Sequence, residues 1–211
     1  MKTLLSAVAV TLVLLGQAPA VAAGKAATLK PNAENETGPV GIGPLKLGMS
    51  KAEVEALTHG DVYLAARMHR TFNRNSDQDP GVERYVSKLV TPLSSSPIDL
   101  SLAFKDGVLN AISVFARGRS SVVSTLVAQV VAKFGEGSFS NSTYEIPCGF
   151  LNGEKLSAQN GDVTQAWTTK SGDNKTIQTT FTRARMDICS ARWHGDSVIG
   201  VTLEHLTFKS L

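Results

Sequence analysis

The feature that most constrains this chain is an alternating run over residues 98–116. Leu100, Leu102 and Phe104 take every second position, Asp106-Gly107 supplies a turn, and Leu109, Ile112 and Val114 return. Side chains along a strand point alternately to opposite faces, so the run predicts a β-hairpin with one buried face, and that face needs a covering layer. The interval between Leu109 and Ile112 breaks the alternation and predicts a bulge just after the turn.

Two helices offer themselves as that layer. After Ser120, the residues Val123, Leu126, Val127, Val130, Val131 and Phe134 recur at three- and four-residue spacing, and Gly135 provides a stop. The many valines lower helix propensity, so packing on a sheet must hold this segment. Ahead of the hairpin, residues 41–57 combine a short extended entry with a helix start. Ser50 is expected to cap it in a capping box with Glu53, Met49 and Val54 form the staple, and His59-Gly60 ends it with Gly60 at the left-handed C′ position. Further strands are expected at 62–64, 85–90, 163–169, 176–185 and 198–208, with turns at Ser171-Gly172-Asp173-Asn174 and His194-Gly195-Asp196 and an exposed loop over 71–81. Helix then strands thus occurs twice, over 41–118 and 119–211. The expected class is α+β: two tandem helix-plus-antiparallel-meander units, each helix packed on one sheet face.

Residues 1–23 read as an export signal peptide. Lys2 and the apolar residues 4–15 have its charge and length, short of the roughly 20 residues of a membrane helix, and Ala20-Val21-Ala22 offers the small side chains a signal peptidase reads. No cysteine follows the cleavage point, so neither a lipid anchor nor a membrane span is expected, and the location is periplasmic or secreted. Residues 24–40 hold almost no large apolar side chain and read as a flexible linker. The only cysteines, Cys148 and Cys189, are expected to form one disulfide in the second unit. Closing a loop of about 40 residues is worth roughly 4 kcal/mol in the chain-entropy picture. With 21 basic against 18 acidic residues, one basic residue of which lies in the leader, the charge is near neutral. That balance argues against a nucleic-acid partner.

The run Leu47-Gly48-Met49-Ser50 followed by Val54 resembles the Gly-Met-Thr/Ser signature that opens the first helix of small exported α+β proteins. Among these are the small lipoprotein of the outer-membrane β-barrel assembly machine and the tandem-repeat β-lactamase inhibitor proteins. The segment from Phe104 to Ile112 is similar to the hairpin such proteins place next. The resemblance covers about half of the first unit and implies a non-catalytic, protein-binding family, with no catalytic residues to carry over. This chain lacks the acylated cysteine of the assembly lipoprotein, and Arg119-Ser120-Ser121 stands where the signature would repeat.

Candidate chemistry is sparse. Gly48-Met49-Ser50-Lys51-Ala52 falls short of a nucleophile elbow at its last position, and the Ser50 hydroxyl is already wanted by helix amides. His194 and Asp196 could hold a metal only if His59 and Asp61 joined them, so no metal and no cofactor are expected. Arg183 and Arg185 share a strand face; their bland use is a salt bridge to a neighbour such as Asp187, and their sharper use is binding an anionic partner. Trp167, Tyr144 and Trp193 read as packing residues. The function expected is an exported non-catalytic binding or inhibitor-like module acting on another cell-envelope protein. The alternative is an enzyme, a hydrolase assembled from scattered Ser, His and Asp residues. The sequence leaves the oligomeric state open.

Overall fold

The computed structural model describes residues 38–72, 80–117, 122–170, 175–192 and 195–211. The expected signal peptide, most of the expected linker, most of the expected 71–81 loop, residues 118–121 at the expected start of the second helix, the expected 171–174 turn, Trp193 and His194 lie outside the described residues. In chain order the elements are β1 (Gly41–Ile42), β2 (Leu45–Lys46), α1 (Lys51–Glu55), β3 (Tyr63–Leu64), β4 (His69–Thr71), β5 (Val82–Val90), β6 (Ile98–Lys105) and β7 (Val108–Arg117). There follow α2 (Val122–Phe134), β8 (Ser138–Asn141), β9 (Tyr144–Gly149), β10 (Lys155–Lys170), β11 (Thr176–Arg192) and β12 (Gly195–Ser210).

All strands except β1 and β2 join one antiparallel sheet of ten, with the path β3-β5-β6-β7-β12-β11-β10-β8; β4 adds to β5 and β9 to β10. This overturns the expected α+β class with two helix-plus-meander units. The protein is mostly β, with two short helices on one large sheet. The physical reason lies at the seam, where β12 pairs with β7 from Leu203↔Arg117 to Lys209↔Ala111. A free edge on each meander would expose unpaired amides, and joining them satisfies both. The helices are also smaller than a covering layer requires. The helix α1 is a single turn capped at Ala56, and Gly60 takes its left-handed conformation in the loop beyond.

The capping box forms as expected: Glu53 N–H donates to Ser50 Oγ at 3.3 Å, and Ser50 N–H donates to Glu53 Oε2 at 2.7 Å. The β6–β7 hairpin shifts register after Ala103, leaving Asn110 as the extra residue of the expected bulge. The helix α2 ends where its pattern ends, with Gly135 N–H bonded back to Val131.

One apolar core lies on the helix-bearing face. Leu100, Leu102 and Phe104 of β6, Ile112 and Val114 of β7, and Leu206 and Phe208 of β12 meet Val54 of α1 and Val123 and Leu126 of α2. Fully burying side chains of this size stabilises by about 1.5–3 kcal/mol each before entropy is counted. Ile42 and Leu45 join the same core, and Gly38 and Pro39 are buried ahead of them, so the end of the expected linker is packed chain. Thr179 Oγ1 fixes it by donating to the Pro39 carbonyl at 3.0 Å.

Candidate binding face

The two faces of the sheet differ in what covers them. Register places Ser101, Ser113, Thr207 and Thr180 in one row of the helix-free face, and Asp99, Phe115, His205 and Thr182 in the next. Farther along the β11–β12 ladder the pairs become Ala184↔Leu203, Met186↔Val201 and Ile188↔Ile199. Leu203 is 42% exposed, Met186 53% and Ile188 49%, with Ile199 and Phe115 also exposed. Hydroxyls thus give way to an apolar stripe running along two long strands.

His205 marks the boundary. Its ring stacks on Phe115 with centroids 4.3 Å apart and planes at 16°, and Nε2 lies 2.7 Å from Thr207 Oγ1. Thr207 Oγ1 is in turn 3.0 Å from Ser113 Oγ. Burial lowers the imidazole pKa, favouring the neutral ring. A neutral imidazole against a hydroxyl is half of a nucleophile–base pair, but no carboxylate touches the ring among the described residues. The neighbouring amides also belong to regular strand ladders, which leaves no converging N–H pair for an oxyanion.

Arg183 and Arg185 project from the other face of β11. Arg183 Nε donates to Glu204 Oε1 at 2.8 Å, and Nη2 donates to Ser124 Oγ of α2 at 2.8 Å. Ser124 Oγ donates to the same Glu204 oxygen at 2.7 Å, so the three side chains tie helix to sheet. Arg185 grips Asp187 through Nε at 3.0 Å and Nη2 at 3.1 Å. The Asp187 side chain is only 3% exposed and also accepts from Gln159 N–H at 2.9 Å. These bonds, the Arg185 contact first, hold the Asp187 carboxyl below its ordinary pKa. Arg185 thus makes the expected salt bridge to Asp187, and both arginines lie across the sheet from the apolar stripe.

Asp187 sits at a bend in the sheet. The β10–β11 ladder begins at Asn160↔Met186, and Gly161 takes φ +105°, where β10 changes course. The earlier part of β10 pairs with β9. It reaches β11 through side chains, because Asp187 accepts from Gln159 and Cys189 is bonded to Cys148 of β9, with Cα atoms 5.7 Å apart. The expected disulfide is present. Gly200, opposite Asp187, has no room for a Cβ, which would come within 2.8 Å of Oδ1.

Trp167 is buried and donates Nε1–H to the Gly135 carbonyl at 2.9 Å, as a packing residue would, whereas Tyr144 is exposed. Among the described residues no group of three His, Cys, Asp or Glu side chains could hold a metal. Among them, too, no helix is long and apolar enough to cross a membrane. The apolar stripe escaped sequence reading because Met186 and Ile188 alternate with Arg185, Asp187 and Cys189, so alternation alone did not tell which of the two sets would face solvent. No family model matches this chain, and no curated protein or solved structure matches it either.

Proposed function

We propose that this chain is an exported, non-catalytic binding module that holds another cell-envelope protein on its helix-free sheet face, in the manner of an inhibitor. One observation carries the reading: Phe115, Leu203, Met186, Ile199 and Ile188 are exposed on a single face that no helix among the described residues covers. Contiguous exposed apolar side chains on a folded protein favour a partner over water. The Cys148–Cys189 disulfide is compatible with an oxidising compartment, and the leader-like residues 1–23 supply the route to a periplasmic or secreted location. The hydrolase alternative has the Thr207–His205 contact in its favour and lacks the orienting carboxylate and free amides that acyl transfer uses.

Affinity capture from envelope extract tests the proposal. A Met186→Asp/Leu203→Asp double variant that melts like the parent should lose the partner captured by the parent. Arg183→Ala/Arg185→Ala should retain it. The opposite pattern would move the contact to the arginine face, and no partner for either protein would overturn the reading.

A further inference from the structure

At the end of the sheet away from the disulfide, the β6–β7 turn and the adjoining ends of β11 and β12 enclose an open cleft of about 710 Å³. That is within the roughly 300–1,000 Å³ of ordinary ligand sites. Three segments distant in sequence each bring a lysine to its lining: Lys105 ends β6, Lys175 precedes β11, and Lys209 is near the end of β12. Elsewhere Lys51, Arg70, Lys88, Arg183 and Arg185 each sit against a carboxylate. Lys105, Lys175 and Lys209 have no such partner among the described residues. Asp106 is the acidic side chain of the lining and lies beside Gly81, where an added Cβ would stand 2.7 Å from Oδ1, so three lysines face one carboxylate side chain and the lining keeps a basic excess. Leu47, Val108 and Ile177 give the same lining an apolar part.

We propose that this cleft binds a small amphipathic anion, a carboxylate or phosphate ester whose charged end meets the three lysines and whose apolar body lies on the apolar part of the lining. Three lysines against one carboxylate side chain leave the lining with net positive charge, and an anionic group lowers the energy of that charge. An apolar wall gains from an alkyl body what it would not gain from inorganic phosphate. The site is separate from the apolar stripe, so neither proposal depends on the other.

Titration calorimetry with decanoate and decyl phosphate as probes tests it. Saturable binding is expected for both, with decanol and inorganic phosphate each at least tenfold weaker. Lys105→Gln/Lys175→Gln/Lys209→Gln should weaken decanoate at least tenfold, and Lys155→Gln on the distal hairpin should leave it unchanged. If the triple variant does not fold, the parent in 0.5 M NaCl serves instead, and several-fold weaker binding is expected. Decanol binding as tightly as decanoate, inorganic phosphate matching it, or indifference to salt and to the lysine changes would overturn the assignment. Sedimentation with phosphatidylglycerol vesicles separates the sources of the anion. Binding to vesicles without binding to free decanoate would replace the cleft with a membrane surface and also overturn it.

Discussion

The two ends of the long β11–β12 ladder are held by different physics. Near the β7 seam, Leu206 and Phe208 are packed between neighbouring strands and beneath helices, in a continuous apolar layer. Toward the far end β12 outruns β7, the helices no longer reach, and the same face carries Arg185, Asp187 and Cys189. A disulfide to β9 and a buried carboxylate with three donors, one of them an amide of β10, stand there in place of a core. A sheet can thus extend past its helical cover if covalent and polar ties replace burial. The far end then leaves its other face apolar and exposed.

The largest test of this contrast is Phe208→Ala. Truncating a fully buried aromatic side chain costs about 4 kcal/mol, and the loss should lower the whole unfolding transition in a denaturant titration. A change confined to amides of the far end would mean the two ends share no core. Next in size is Cys148→Ser/Cys189→Ser, expected to cost about 3 kcal/mol, below the loop-closure value because the reduced unfolded chain retains structure. Hydrogen exchange should accelerate first in β9 and the early part of β10 while the β6–β7 amides stay protected. Uniform acceleration would show that the disulfide holds the whole sheet instead of one end.

The smallest effects come with acid, and they separate the ends by pH. Burial lowers the His205 pKa beneath its ordinary 6.5, so the unfolded chain takes up this proton first and stability is lost as pH falls below that value. His205→Asn should flatten this part of the profile. The Asp187 carboxyl is held below 3.8, so its contribution is present above that pH and lost as pH falls through the lowered value. Asp187→Asn should flatten only this lower part, and a melting-temperature series from pH 8 to pH 3 reads the first window and the onset of the second. A single acid transition unchanged by either substitution would remove both assignments.

Residues adjacent in sequence made much of the near end legible. Leu100, Leu102 and Phe104 announced a strand face, Ser50 and Glu53 announced a helix cap, and the valines before Gly135 announced α2, because strand alternation, capping and helical periodicity act over a few residues. The disulfide was legible for another reason, since two cysteines in a chain read as exported leave one pairing. The β7–β12 seam had no such signal. Ala111 meets Lys209 through backbone bonds that any residues can make, so nothing in either strand names the other.

The site residues divide along the same line. Alternation put Arg183 and Arg185 on one strand face, but which face the helices would cover depended on packing across the seam. That choice sent both arginines to Glu204 and Asp187 and left Met186 and Ile188 to solvent. The bend at Gly161 and the closeness of Lys105, Lys175 and Lys209 belong to the same class. Local patterning sets which side chains share a face; only the long-range pairing of strands, driven by the need to satisfy edge amides and bury one apolar layer, sets what each face meets.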